Sequence, residues 1–574
     1  MRQQIQVEFN VPAAMRDGTA LRANVFRPVA NGPCPVVLCR TPYNKDLASV
    51  NPILDAVRLT RAGFIVVIQD VRGRGTSDGS WIPFMNEAQD GYDSVEWAAQ
   101  LPGSNGNVGM YGASYVGFTQ WVAAAQAPPH LKAIMPAVTW ADAGDGLLWR
   151  GGAFELGLVV YLLTYGFGFD SVLRQNLKAP PSARMEAIRA LAAHINGLPA
   201  GGYLSLPQNN FEILKMLDFG NDWLNALIHP KSPTYCSPFA SSENYRLFQV
   251  PAYNIGGWYD IFAQGTLRNF SFLSSDCSIT PARQSKLLMG PWSHVNFDHV
   301  IGEQDFGVQT SLASINMETD LTGLAQRWFD YWLKGLDNGM MDEPPVKLLI
   351  MGENVWREEQ EWPLARTEYI PFYLRSRGLL TPEPPGEEIP DDYVYDPAHP
   401  TPTAGGAIHM HPAYGAGVKD QRSIEARPDG LVYTSEPLMQ EMEVTGPIIV
   451  QLWASSDAPD TDFVARLVDV HPDGFSQNLT DGVIRARYRG GNTPILLKPG
   501  QPYEFTIDLW ATAIVFKVGH CIRLQVTSAC FPRWDRNPNT GEPFGEETFA
   551  RTARQTILHD ANHPSNIVLP IIPH

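Results

Sequence analysis

Cysteine is scarce and follows no pattern. Cys34, Cys39, Cys236, Cys277, Cys521 and Cys530 are scattered through 574 residues without a C-x-x-C pair. That excludes a disulfide framework or a cysteine-rich zinc module as the organising principle. Basic charge is short as well: 43 Lys+Arg stand against 60 Asp+Glu, for a formal net charge of -17. Such a balance repels nucleic-acid phosphates and anionic lipid, so neither nucleic acid nor a membrane is an expected partner. Long apolar runs are missing too. The greasiest stretch, residues 156–169, contains Thr164 and three glycines and falls short of the roughly 20 residues a bilayer span requires. The first eight residues lack the apolar core of a secretory signal, so the expected location is cytoplasmic.

What is present is apolar bulk. Hydrophobic residues make up 44% of the chain and charged ones only 18%, enough to bury a large interior. With roughly 150 residues per domain, a chain this long is expected to divide into about three or four compact units. The charge balance leaves a small molecule or a peptide as the partner class.

Changes of texture mark the units. Strand-like runs at residues 35–39, 64–68 and 108–111 alternate with helical patterns over 90–98 and from 111 to 127, as a mostly parallel sheet with crossover helices requires. From about residue 140 to 239 the patterns are helical without buried strands. There Pro180-Pro181-Ser182 offers a helix start, Met185, Ile188, Leu191 and Ile195 mark one face, and Gly197 is a stop. Strand texture returns at 252–255 and 286–289. Beyond Pro345 come short strands between Pro and Gly turns, with strict alternation over 522–527. The expected fold is an α/β core over 1–140 and 241–345, interrupted by an inserted helical cap over 141–240. A C-terminal β-sandwich of the jelly-roll kind follows over 346–574.

Tyr111-Gly112-Ala113-Ser114-Tyr115-Val116-Gly117 sits where a strand pattern passes directly into a helical one. A nucleophile elbow needs that context, because small residues around the serine permit the sharp turn that lifts its hydroxyl to a helix N-terminus. The second glycine falls three places after Ser114, giving G-x-S-Y-x-G rather than the common G-x-S-x-G. Alone, a glycine-flanked serine is more often an ordinary turn. Two polar residues give it company: Asp260 closes Gly256-Gly257-Trp258-Tyr259-Asp260, and His294 closes Gly290-Pro291-Trp292-Ser293-His294. Each follows a strand pattern, at the carboxyl end where open α/β sheets place ligands. The order Ser, Asp, His is that of the α/β hydrolases. Alone, Asp260 would be a helix cap and His294 a solvated loop residue; together they make Ser114 a nucleophile, His294 its general base and Asp260 the orienting acid.

The rival histidines are less well placed. His299 stands further from the strand end, and His130 and His229 adjoin prolines in loops. His409-Met410-His411 has no carboxylate nearby, so no metal is expected, nor any other cofactor. Asp70-Val71-Arg72-Gly73-Arg74-Gly75 lacks the third glycine of a dinucleotide loop and reads as a strand-end brace.

The order of five segments resembles the cocaine-esterase (CocE/NonD) family within the X-Pro dipeptidyl-peptidase superfamily. They are Arg40-Thr41-Pro42-Tyr43, Gln69-Asp70-Val71-Arg72-Gly73, Gly112 through Gly117, Gly257-Trp258-Tyr259-Asp260 and Gly290 through His294. Segments in the last third, Thr461 through Val470 and Phe531-Pro532-Arg533 through Asn539-Thr540, extend the likeness to nearly the whole chain. The resemblance implies an α/β-hydrolase core, a helical cap and a C-terminal jelly roll. It also implies an oxyanion hole made by the Tyr43 hydroxyl and the backbone N–H of Tyr115. By itself the Tyr43 ring would read as a buried phenol capped by backbone.

An apolar, aromatic pocket is expected. By resemblance Phe262 forms an acyl-pocket wall and Ile408 to Met410 reach the site from the jelly roll. Trp149 is a candidate partner from the cap, although Trp149 and Phe262 could equally serve the core. The favoured substrate is an ester with a bulky hydrophobic or aromatic acyl group. An X-Pro dipeptidyl-peptidase or α-amino acid ester hydrolase is the alternative, and it needs carboxylates for the substrate ammonium, for which Asp142, Asp145 and Glu155 are candidates. A non-catalytic, carbohydrate-binding jelly-roll protein is a third reading, from another class.

Overall fold

The computed structural model describes residues 4–29, 32–50, 53–142, 146–205, 213–220, 247–276 and 279–573. Its first sheet has ten strands, and their order determines where chemistry can sit. Across the sheet they run Ile5–Ala14, Ala20–Pro28, Ile65–Asp70, Cys34–Thr41, Ser104–Ala113, Leu131–Ala137, Tyr253–Tyr259, Lys286–Ser293, Val346–Ile350 and Val355–Glu359. Cys34–Thr41, Ile65–Asp70 and Tyr253–Tyr259 are buried along their whole length, the pattern of parallel strands covered on both faces. The chain leaves Cys34–Thr41 on one side for Ile65–Asp70 and returns on its other side with Ser104–Ala113. That reversal is a topological switch point, which opens a crevice beyond the carboxyl ends of the two strands.

The expected strands and crossover helices form, the latter as Glu87–Ala99 and Tyr115–Ala125. The expected end of the core at residue 345 falls two strands short. Val346–Ile350 adds in parallel to Lys286–Ser293, and Val355–Glu359 closes the edge antiparallel. Pro344-Pro345 only starts a strand, and the apolar run behind it belongs to the first sheet.

Where it is described, the insert is mostly helical, and Pro181–Gly197 begins and ends at the expected proline and glycine. Its buried face is narrower than expected: Leu191 and Ile195 are enclosed while Met185 is exposed. Leu156–Gln175 is one helical run of 20 residues with mean hydropathy 1.6, so it is long and apolar enough to cross a membrane, contrary to the count made on residues 156–169. The helix continues through a more polar end, Phe169–Gln175, and 72% of its apolar window is buried inside the protein, as in a core helix. A short hairpin, Trp149–Arg150 with Ala153–Phe154, was not expected, because two-residue strands carry no readable alternation.

The C-terminal unit is an eleven-stranded, mainly antiparallel network in which Leu379–Thr381 meets Gly430–Thr434 through a parallel bridge between Leu379 and Thr434. Ile522, Leu524 and Val526 are buried as their alternation requires. Gln525 is buried as well, because its amide is taken up by Arg466 and Glu425.

The hairpin at 149–154 is the seam between insert and β domain. Arg150 donates to the Asp481 carbonyl at 2.9 Å, and its guanidinium lies 3.3 Å from the Trp510 ring centre. Phe154 N–H donates to Asp535 Oδ1 at 2.6 Å, and Arg485 N–H to the Gly151 carbonyl at 2.7 Å. Gly151 has φ +54°, and a Cβ there would sit 1.8 Å from the Val483 carbonyl oxygen. Gly151→Ala should therefore cost about 2 kcal/mol or more, from strain and a clash with backbone. Urea unfolding checks this; an unchanged midpoint would refute the close fit.

Candidate active site

Ser114 is held in a conformation that its neighbours impose. It lies between the strand Ser104–Ala113 and the helix Tyr115–Ala125, with φ 58° and ψ -123°. Two glycines make the turn possible: a Cβ on Gly112 would come within 2.1 Å of Val116 Cγ1, and one on Gly117 within 2.8 Å of Thr139 Cβ. The wider G-x-S-Y-x-G spacing thus places the second glycine where the helix packs on the loop after Leu131–Ala137. Ser114 N–H donates to the Ala137 carbonyl at 2.9 Å, and its own carbonyl accepts from Phe118 N–H and the Thr139 hydroxyl, both at 2.9 Å. Tyr115 N–H is the first of the helix and has no acceptor within it.

The distant polar residues converge on this serine. His294 Nδ1–H donates to Asp260 Oδ1 at 2.7 Å, and the Ser114 hydroxyl faces His294 Nε2 at 2.9 Å. Asp260 is 0% and His294 5% exposed, while Ser114 stays half-buried. The carboxylate can only accept, which makes Nδ1 the donor and leaves Nε2 to accept from the serine. Tyr43 follows Cys34–Thr41 across the switch point, and its phenol interacts with the Ser114 side chain. Burial pushes the Tyr43 phenol pKa up, so it remains a donor.

The loop after Ile65–Asp70 braces Tyr43, in keeping with the reading of its sequence. Buried Arg74 donates to the Pro42 carbonyl at 2.9 Å and to the Phe167 carbonyl at 3.3 Å, with its guanidinium over Trp81. Phe167, from the π-helical stretch Leu162–Gly168 of the insert, stacks on Tyr43 with centroids 5.6 Å apart.

Of the expected pocket residues, Phe262 stands edge-on to His294 at 5.0 Å. Trp149 instead joins Phe154 and Phe544 at the domain seam. Ile408 and Met410 are buried, and Met410 lies against Gly157, where a Cβ would come within 2.8 Å of its Cε. The residue between them faces the relay: the His409 ring is 4.5 Å from that of His294, and 5.8 Å from Tyr161. Sequence reasoning set His409 aside with His411 as a poor metal pair. The signal it passed over was a polar residue between two buried apolar ones.

The other histidines are occupied elsewhere. His299 Nδ1 is 2.9 Å from Asp305 and His130 Nδ1 2.7 Å from Glu96, while His411 accepts from Ala413 N–H; His229 lies outside the described residues. Of the carboxylates considered for an ammonium, Asp142 pairs with Arg268 at 2.9 Å, and fully buried Glu155 accepts from Trp534 Nε1 at 2.8 Å. Asp145 lies outside the described residues, as do Cys236 and Cys277. Cys34, Cys39, Cys521 and Cys530 are free thiols.

Residues 17–296 match the profile of the X-Pro dipeptidyl-peptidase (S15 family), and residues 338–568 that of the X-Pro dipeptidyl-peptidase C-terminal non-catalytic domain. Cocaine esterase of Rhodococcus sp. (strain MB1 Bresler) is 36% identical over 582 residues, covering 99% of this chain and 98% of that protein. Among solved structures, an aminopeptidase from a marine sediment archaeon, Thaumarchaeota archaeon, matches with TM-score 0.80 at 26% identity, over 100% of this chain and 97% of the other. An α-amino acid ester hydrolase matches with TM-score 0.79 at 25% identity, over 99% and 97% of the two chains.

Burial, together with the neighbouring His294, holds the His409 pKa well below the usual histidine value. The folded chain therefore keeps this ring neutral, while the unfolded chain takes up a proton below about pH 6.5. In that window the unfolded state binds more protons, so the group's effect is to lower stability as pH falls, by up to about 1.4 kcal/mol per pH unit. His409→Asn removes this effect, and thermal unfolding between pH 7 and pH 5 should show a shallower fall in Tm than in the parent chain. Equal slopes would show that the ring titrates normally.

Proposed function

The chain belongs to the X-Pro dipeptidyl-peptidase (S15) family, in its cocaine-esterase (CocE/NonD) group, and is a serine hydrolase; from that premise we propose that it is a carboxylesterase for esters with bulky hydrophobic or aromatic acyl groups. The observation that carries the proposal is the relay itself, Ser114 at 2.9 Å from His294 Nε2 and Asp260 at 2.7 Å from Nδ1. His294 takes the Ser114 proton as the oxygen attacks the ester carbonyl. Negative charge builds on the former carbonyl oxygen, between the Tyr43 hydroxyl and Tyr115 N–H. His294 then returns its proton to the leaving alcohol, and water releases the acyl group by the same steps in reverse.

The rings gathered near the serine support an apolar acyl group. Phe262, His409 and Tyr161 stand on the His294 side and Phe167 beside Tyr43. The described carboxylates that could hold an ammonium are engaged elsewhere. The names of the S15 relatives favour amine-bearing substrates as the second reading, with Asp145 as its remaining candidate residue.

An aryl benzoate and an X-Pro anilide separate the two. We expect kcat/KM for the benzoate to be the higher by about 100-fold or more, and the reverse order would make the chain a dipeptidyl-peptidase. Ser114→Ala should lower kcat by at least about 10⁴-fold and abolish fluorophosphonate labelling, while Tyr43→Phe should lower kcat by about 10²- to 10³-fold. Normal turnover in Ser114→Ala would overturn the mechanism.

A further inference from the structure

One corner of the β domain gathers a second set of reactive side chains. Asp469 and His471 are two apart at the end of the strand Asp462–Val470, a spacing that turns both to one face. Antiparallel register sets Val470 opposite Cys521 and Asp469 opposite Gln477. Carried on by one residue, it brings His520 across from His471. His520 Nδ1 is 2.8 Å from Asp469 Oδ1, His471 Nε2 is 3.6 Å from Asp469 Oδ2, and the two rings lie tilted by 34° with centroids 4.5 Å apart. One donor atom from each of the three lies within 4.8 Å of the others.

We propose that Asp469, His471 and His520 bind a divalent transition-metal ion with zinc's ligand preference. Asp469 is 2% exposed, and its ion-pair partners among the described residues are these two imidazoles. Unless protonated, imidazoles carry no charge, and a buried carboxylate needs a compensating cation. Imidazole nitrogen and carboxylate oxygen are a donor set that suits zinc and its neighbours. Metal–donor bonds of about 2.0–2.2 Å put donors about 3.3 Å apart, so the widest pair must close by at most about 1.5 Å. Both imidazoles are partly exposed, which leaves a route in and a coordination position for water. Gln477 Oε1, 3.3 Å from His471 Nε2, stands beside the site, and the Gln477 amide donates to the Tyr259 hydroxyl at 3.3 Å. The site therefore lies one side chain behind the strand Tyr253–Tyr259, which Asp260 follows.

The test uses the full chain, stripped with chelator, desalted and titrated with Co²⁺ or Zn²⁺ alone. One equivalent of Co²⁺ should bind with visible ligand-field absorption, be displaced by Zn²⁺, and raise Tm. His471→Gln with His520→Gln should weaken binding by about 100-fold or more, whereas His409→Asn, which breaks the imidazole pair beside Ser114, should bind like the parent. If the double variant does not fold, His471→Gln alone should still weaken binding by about tenfold or more. Unchanged affinity in the 471 and 520 variants, or no saturable binding to the parent below millimolar ion, overturns the proposal.

Discussion

The backbone of Ser114 is the constraint on which the site depends. A non-glycine residue at φ 58° and ψ -123° is strained by about 1–3 kcal/mol and persists only where its surroundings over-determine it. Here they do so from three directions. Ala137 and Thr139 hold the serine's amide and carbonyl, and Gly112 and Gly117 let strand and helix close on the turn. Below it, the Tyr115 hydroxyl donates to Glu87 at 2.8 Å, and Glu87 is paired at 3.1 Å with fully buried Arg40. That chain of buried polar groups fixes the first turn of the helix, and with it the direction of the Tyr115 N–H. Relaxing any of the three would let the hydroxyl swing away from His294.

Three units complete what the elbow begins. The sheet carries Ser114, Asp260, His294 and Tyr43; the insert adds Phe167 and Tyr161; the β domain adds His409. The seam at the 149–154 hairpin fixes the β domain against the insert by buried hydrogen bonds and a guanidinium over an indole. An eleven-stranded unit could have been a mere appendage. Its placement of a side chain 4.5 Å from the imidazole of the relay makes it part of the site.

How much of this the sequence disclosed depends on how local each signal is. The convergence of Ser114, Asp260 and His294 was legible because each directly follows its own strand, and strand patterns of buried apolar residues are strong. The helix Pro181–Gly197 announced itself by a proline start and a glycine stop. The boundary at 345 misled because a Pro-Pro pair punctuates a strand start as readily as a domain end. His409 stayed hidden because its importance comes from a contact across 115 positions of chain, and the grouping of Asp469, His471 and His520 because it needs a pairing between strands about 50 positions apart that no local pattern specifies.

The second imidazole at the relay raises an electrostatic question that its burial answers. In the proposed mechanism His294 becomes a cation when it takes the serine proton, and Asp260 at 2.7 Å would stabilise it. Were His409 also charged, two positive charges about 4.5 Å apart would repel by about 4 kcal/mol at an effective dielectric constant of about 20. Applied to the transition state, that repulsion would slow the reaction by nearly three orders of magnitude. The desolvation that depresses the His409 pKa keeps it neutral while His294 cycles. A neutral ring at this distance presents polarisable surface to the cation without competing for its counter-charge, so the desolvation at His409 also protects the base from its neighbour.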